Sequence, residues 1–237
     1  MHRTRSAFLG LFLLGSSARV LALDPAKAIT QYMHDVWQTG DGLPQNTVTA
    51  IAQTPDGYLW LGTREGLVRF DGMRFTVFDT STTPELGHDW VRCLLADRAG
   101  TLWIGTSGGG LVKMEAGRFL RFSASDGLPS EQVAALVEDR KGRLWVGTDG
   151  GGLARLQAGR FVRESSRDAL GPNVRALVHD GESLWIGTDE GLARLAEDGT
   201  LSSFTPENGL SRRSVRGRCT LGSNRGASGR RRGAAAR

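Results

Sequence analysis

Four polar residues each follow directly after the threonine that ends a repeated pentapeptide. They are Arg64, Ser107, Asp149 and Asp189. Two carboxylates such as Asp149 and Asp189 have the right chemistry for the general acid and base of a glycoside hydrolase. Because both acids fill the same repeat position, however, the pattern favours a role in turns over a catalytic pair.

Other catalytic signatures are missing from the sequence. It has no Gly-x-Ser-x-Gly elbow and no Gly-x-x-x-x-Gly-Lys phosphate loop. The runs Thr-Ser-Gly-Gly-Gly and Thr-Asp-Gly-Gly-Gly lie between predicted strands and do not open a helix, so they are a weak phosphate signal. The four histidines lack metal-ligand spacing. We therefore predict no catalytic residue, no cofactor and no metal site, and a protein that is not an enzyme.

The pentapeptide sets the organisation of the chain. It reads Leu-Trp-x-Gly-Thr, and its tryptophans Trp60, Trp103, Trp145 and Trp185 are spaced by 43, 42 and 40 residues. A period of about 40–45 residues indicates a repeat architecture with one supersecondary unit per period. Tryptophan at the same position of every unit predicts a structural core between units, where each indole buries roughly 150–250 Å².

Each period contains four short apolar runs separated by turns that carry Gly and Asp. Four antiparallel strands in a repeat of about 40 residues are typical of a β-propeller blade. We predict an all-β fold with four legible four-stranded blades in an incomplete ring. The predicted blades span residues 46–79, 89–123, 131–164 and 172–205, with bounds that are approximate.

Parts of further repeats flank the four blades. Residues 31–38 align with a fourth strand that lacks its first three, and a fifth blade starts near residue 207. The pattern then breaks, and residues 216–237 form a tail rich in Arg, Gly and Ala. We favour a frame-shifted or disordered tail on a truncated product, because the break falls inside a strand. A basic tail for nucleic acid or anionic lipid is the alternative.

Charge is unevenly distributed along the chain. Of the 30 Lys and Arg, nine lie in residues 211–237 and three in residues 1–22, which leaves 18 basic and 25 acidic residues, a net charge of −7. This acidic body argues against nucleic-acid binding.

The first 22 residues have the organisation of a signal peptide. Arg3 and Arg5 precede a short apolar run, and small residues near Ala22 form a cleavage site. The apolar run is about half the ~20 residues that a membrane span needs. We expect a periplasmic or secreted protein, with an uncleaved anchor as the alternative.

The repeats resemble a known family. The Asp-Gly-Leu-Pro run, the Val-x-Ala-Leu first strand and the Leu-Trp-[Ile/Val]-Gly-Thr-x-x-Gly-Gly-Leu core are similar to the two-component regulator propeller repeat, over residues 31–215. The resemblance implies the periplasmic sensor part of a one-pass receptor whose output is a histidine kinase or a diguanylate cyclase. No kinase, cyclase or membrane-helix motif follows the blades, so we expect a fragment that reaches the membrane only through a missing C-terminal part.

In a propeller, the turns after the second and the fourth strands share one rim, where residues that differ between blades set specificity. Our ligand-binding candidates on this rim are Asn46, Arg64, His88, Asp89, Trp90, Ser107, Asp149, Asn173 and Asp189. Such a ring suits a small-molecule or carbohydrate signal, whereas ordinary turn residues are the alternative. Other possible functions are a secreted carbohydrate-active enzyme and a non-sensing interaction scaffold. Self-association through the propeller is a further expectation.

Overall fold

A computed structural model describes residues 35–164, 171–211 and 214–215. All of its sheets belong to one compact unit that begins at Trp37. The predicted signal peptide (residues 1–22), the first half of the lone fourth strand (residues 31–34) and the tail (residues 216–237) lie outside the described residues. Within the described residues, no helix is long and apolar enough to cross a membrane.

Sixteen strands form four sheets of four strands each. The first blade contains β1 (Ala50–Gln53), β2 (Leu59–Gly62), β3 (Leu67–Phe70) and β4 (Phe75–Phe78). The second contains β5 (Val91–Ala96), β6 (Leu102–Thr106), β7 (Leu111–Glu115) and β8 (Arg118–Phe122). The third contains β9 (Val133–Glu138), β10 (Leu144–Thr148), β11 (Gly152–Gln157) and β12 (Arg160–Arg163). The fourth contains β13 (Val174–His179), β14 (Ser183–Thr188), β15 (Leu192–Ala196) and β16 (Leu201–Phe204).

Within each sheet the strands follow chain order, and every neighbouring pair is antiparallel. The first strands of consecutive blades lie next to each other, so that β1, β5, β9 and β13 form one row of inner strands. This is the predicted all-β arrangement of four propeller blades, and the fold class is confirmed.

Each contact between consecutive blades, here called a joint, is filled by one apolar cluster. The first joint packs Trp60 and Ala52 of the first blade against Val91, Leu94 and Ile104 of the second. The second and third joints repeat this arrangement around Trp103 and Trp145. These three indoles are 3–5% exposed. Trp185, which has no further blade beside it among the described residues, is half-buried.

A glycine in every pentapeptide allows the blades to approach each other. A Cβ atom on Gly62 would lie 2.8 Å from Cγ1 of Val91, and a Cβ atom on Gly105 would lie 2.6 Å from Cγ1 of Val133. Such distances are too short for any side chain, because real Cβ atoms need about 3.5–4 Å to a carbon neighbour. The glycine is therefore required by the backbone approach of the next inner strand.

The first strand of blade 1 differs from the sequence prediction. The apolar run of this strand begins at Val48 in the sequence, which predicts a strand from there, but β1 begins at Ala50. The equivalent residues Val91, Val133 and Val174 are fully buried against the preceding blade, whereas Val48 is 37% exposed. Without that packing, the first two residues of the run remain outside the sheet.

Candidate functional site

The four-stranded blade places two kinds of connection on one rim. The turn between the second and third strands of one blade contacts the segment that connects that blade to the next. For example, the amide of Gly66 donates to the carbonyl of Asp89 at 2.9 Å, and that of Gly110 donates to the carbonyl of Glu131 at 2.9 Å. Gly152 donates in the same way to Pro172 at 2.8 Å. The rim is therefore a continuous backbone network that holds the candidate side chains.

The first group on the rim lies at the joint between blades 1 and 2. The guanidinium of Arg64 lies 4.9 Å from the ring centroid of Trp90, which is a cation–π contact. Nδ1 of His88 accepts from the amide of Trp90 at 3.0 Å. Oδ1 of Asp89 accepts from the amide of Thr80 at 2.7 Å. The structure thus brings Arg64, His88, Asp89 and Trp90 together, as the rim argument predicted.

A cavity of about 470 Å³ opens beside this group. It is lined by Pro44, Arg64, Glu65, Val77, Asp79, Thr80, Ser81 and Asp89. This volume lies within the range of about 300–1,000 Å³ that small-molecule sites occupy. One guanidinium, three carboxylates and two hydroxyls line it, which are groups that can hydrogen-bond several hydroxyls of one ligand.

A larger cavity of about 610 Å³ lies on the opposite rim, lined by Asp56, Gly57, Tyr58, Asp71, Met73 and Arg74. All six residues come from the two hairpin turns of blade 1. The smaller cavity instead combines the connecting segments on both sides of blade 1 with its turn after β2, and it includes Arg64 and Asp89. We therefore place the candidate site at the smaller cavity.

The second group on the rim is a chain of alternating charges in blades 2 to 4. Nη1 of Arg92 donates to Asp149 at 2.7 Å. Arg175 donates to the other oxygen of Asp149 through Nη1 and to Asp189 through Nη2 at 2.7 Å. The four side chains are 18–26% exposed, so the chain of charges faces solvent at its edge. Asn173 completes the group, since its Oδ1 accepts from the amide of Gly150 at 2.9 Å.

The carboxyl of Asp189 is held in its charged form. Hydrogen bonds from Arg175 lower the pKa of Asp189, and the same hydrogen bonds raise the pKa of Arg175. A general acid needs the opposite shift, because it must carry its proton near neutral pH. The arrangement of Asp149 and Asp189 around one arginine therefore fits a structural or ligand-orienting role better than an acid–base pair.

Sequence reasoning missed Arg92 and Arg175. Both take the second position of the Val-x-small-Leu inner strand, where the third blade has Ala134. The register slips by one residue there, between Val91 and Cys93 and between Val174 and Ala176, which is a β-bulge. A bulge redirects the side chain of the extra residue. The difference between blades at this position was visible in the sequence, but the bulge was not.

The remaining candidates are Asn46 and Ser107. Oδ1 of Asn46 accepts from the amide of Thr39 at 2.8 Å within its own connecting segment. Ser107 contributes its backbone to the rim and pairs with Gln132. Among the described residues, no cluster of three or more His, Cys, Asp or Glu side chains is suited to a metal ion.

Three segments of the chain match the family described as two component regulator propeller: residues 42–65, 85–108 and 127–150. Each match runs from a connecting segment through the second strand of a blade. No curated protein sequence gives a significant match.

Solved structures with the same fold include extracellular domains of bacterial signalling proteins. The extracellular domain of the hybrid two component system BT3049 from B. thetaiotaomicron has a TM-score of 0.62 at 24% identity, and the alignment covers 74% of this chain and 24% of that domain. The extracellular domain of the one component system BT4673 from the same organism has a TM-score of 0.60 at 24% identity, with 71% and 24% covered. This chain thus spans about a quarter of these domains.

An enzyme shares the blade architecture as well. Virginiamycin B lyase from Staphylococcus aureus has a TM-score of 0.54 at 14% identity, over 68% of this chain and 57% of the lyase. At such identities the similarity concerns the fold alone, because one fold hosts many functions.

Proposed function

Because the chain carries two-component regulator propeller repeats, we propose that it is a ligand-recognising propeller segment of an extracytoplasmic signalling receptor. The repeat matches in blades 1 to 3 are the observation that carries the proposal. The extracellular signalling domains among the similar folds agree with it. In this proposal the segment recognises a signal outside the cytoplasm, and a linker passes the change to a cytoplasmic kinase or cyclase.

The proposed ligand is a small polar molecule, with a carbohydrate as the preferred class. Arg64 and Asp89 line the cavity, and the aromatic face of Trp90 lies next to the guanidinium. The hydroxyl groups of a sugar can hydrogen-bond to the guanidinium and the carboxylates that line this cavity. A ligand here would touch the connecting segments on both sides of blade 1, so that binding could shift the first joint.

Thermal unfolding with defined sugars tests the proposal. The probes are a panel of neutral mono- and oligosaccharides and amino sugars, each in excess over the protein. A ligand that binds only the folded chain raises the midpoint of unfolding, by RT ln(1 + [L]/Kd) in free energy. We expect at least one probe to do so, and we expect Arg64→Ala and Asp89→Ala to weaken its binding about tenfold or more, which corresponds to about 1.4 kcal/mol.

The matched control is Arg74→Ala, which removes an arginine of the same blade from the opposite rim. It should leave the affinity for the probe unchanged. Equal losses in the Arg64 and Arg74 variants, or tolerance of changes at Asn46, Arg64 and Asp149 alike, would indicate a scaffold that senses nothing. Chromatography of the bound sugar after incubation separates recognition from turnover, and cleavage products would support the enzyme alternative.

The proposed location is the periplasm or the extracellular space, after removal of residues 1–22. Amino-terminal sequencing of the protein from a periplasmic fraction checks this. A mature chain that begins just after Ala22 is the expected result. A chain that keeps Met1 and stays with the membrane would favour the uncleaved anchor.

A further inference from the structure

The three joints have one common design, in which two different blade faces meet. One face, here called the trailing face, carries the tryptophan of the second strand and the first-strand residues beside it, such as Trp60 and Ala52. The other, the leading face, carries the apolar residues of the next inner strand, such as Val91 and Leu94. Trp103 with Leu95 and Trp145 with Ala135 repeat the trailing face in the later joints.

Within the part of the chain that the structure describes, the leading face of blade 1 remains uncovered. Ile51 is 40% exposed, whereas its equivalents Leu94, Leu136 and Leu177 are 5–9% exposed. Leu59 and Leu61 of the same face are half-buried, whereas their equivalents in the other blades are buried.

Among the described residues, the trailing face of blade 4 is also largely uncovered. Val178 is 55% exposed, whereas its equivalents Ala52 and Leu95 are 5% and 9% exposed. Trp185 is half-buried on the same face. The uncovered faces are therefore the two complementary halves of the joint that the chain forms three times.

We propose that a second copy of this chain covers these faces, with the trailing face of blade 4 in one copy packed on the leading face of blade 1 in the other. The occupant follows from continuity with the three existing joints, because each of them pairs the same two faces. Two copies related by a two-fold axis would form two such joints and close a ring of eight blades. Natural propellers contain about four to eight blades, so this ring lies within the known range.

Within each copy, Val215 occupies part of the trailing face of blade 4. It must move away before the second copy can pack there. The amide of Val215 donates to the carbonyl of Thr188 at 2.9 Å, as that of Val91 donates to Thr63 at 2.8 Å. Val215 also packs on Gly187, where Cγ1 would lie 3.0 Å from an added Cβ. In the assembly, Val48 of the second copy takes the position of Val215. Val48 and Val215 can replace each other because each is a valine that packs at the same position of a joint.

Sedimentation and light scattering of the full chain over a wide concentration range test the proposal. We expect the mass of two chains at high concentration. Ile51→Asp and Val178→Asp should each abolish association, since each places a charge in both joints of the ring. Val215→Asp should strengthen it at least severalfold, because it releases the competing segment. The matched control is Val162→Asp on β12, which is similarly exposed but lies outside every joint.

Mixing the two non-associating variants distinguishes this geometry from other dimers. A mixture of Ile51→Asp and Val178→Asp chains has one joint with both faces intact, so the mixture should associate although neither variant does alone. Far-ultraviolet circular dichroism verifies that each variant is folded. A wild-type chain that is monomeric at every concentration overturns the proposal. So does association that survives either variant, or a mixture that remains monomeric.

Discussion

At the scale of single residues, each blade ties its tryptophan to one turn. The residue that follows the first strand accepts the indole N–H of the same blade, at 2.8–3.0 Å. The acceptors are Thr54, Asp97, Asp139 and Asp180. The hairpin turns were predictable from their Asp and Gly. The hydrogen bond from the indole to the turn residue was not predictable, because the acceptor and the tryptophan are five or six positions apart in the sequence. The turn thereby fixes the orientation of the side chain that fills the joint.

Removal of one such acceptor should destabilise the fold. Asp139 is 1% exposed and accepts from Trp145 at 3.0 Å and from Arg143 at 2.6 Å. Asp139→Ala leaves the buried indole N–H without a partner, which costs about 1–3 kcal/mol. Urea unfolding measures this loss. Asp198→Ala, which removes an exposed turn aspartate, should have no measurable effect, and an equal effect of both changes would contradict the explanation.

Acid should weaken the same contact in the fourth blade. Hydrogen bonds from the Trp185 indole and from the amides of Glu182 and Ser183 lower the pKa of Asp180 from 3.8 to about 2. A depressed pKa stabilises the folded state above the unfolded value, and that contribution is lost as pH falls through the folded value. The melting temperature of the wild type should therefore fall between about pH 4 and about pH 2 relative to Asp180→Asn. Parallel curves for the two proteins in this window would refute the assignment.

Only part of the candidate site was predictable from the sequence, because some of its side chains depend on the register of the inner strands. Repeat alignment placed Arg64, Asp89 and Trp90 on one rim, because turn positions follow from strand order. It did not place Arg92 and Arg175 there, since both depend on a bulge that shifts the register of the inner strand. Alternation of side chains along a strand holds only while the register holds.

At the scale of elements, the glycine of the pentapeptide determines how closely two blades pack. In Gly105→Ala the added methyl group would meet Cys93 and lie 2.6 Å from Cγ1 of Val133. Overpacking of this kind costs about 1–3 kcal/mol. Equilibrium unfolding should show that loss. Gly40→Ala is the matched control, because no atom lies within 4 Å of its added Cβ, and a loss there as large as at Gly105 would contradict the packing explanation.

The strands themselves were largely readable from the sequence. β5, β9 and β13 coincide with the apolar runs Val91–Ala96, Val133–Glu138 and Val174–His179, because the valine that begins each run is buried against the preceding blade. β1 is shorter than predicted because, among the described residues, no blade precedes it to bury Val48. An apolar run in the sequence therefore predicts the bounds of a strand well only where a neighbouring blade buries that run in the folded protein.

At the scale of the whole molecule, both ends of the described unit resemble the start or the end of a blade. Trp37 packs on Phe75 with ring centroids 6.2 Å apart, as Phe122 packs on Phe161 at 5.5 Å. Trp37 thus takes the place of the last aromatic of a preceding blade, but residues 35–38 form no strand, and the rest of the predicted lone fourth strand lies outside the described residues. At the other end, Val215 takes the place of the first residue of a following blade. Each end of the described unit therefore repeats one contact that the blades make inside it.

Hydrogen exchange with mass spectrometry tests most directly whether the rim that carries Arg64 and Asp89 recognises the signal. The exchange of the full chain is compared with and without the sugar that raises its unfolding temperature most. We predict slower exchange at the turns after β2 and β6 and in the connecting segment of residues 79–90, with no change in the hairpin turns of the opposite rim. Protection confined to those opposite turns, or no protection at all, would contradict the claim.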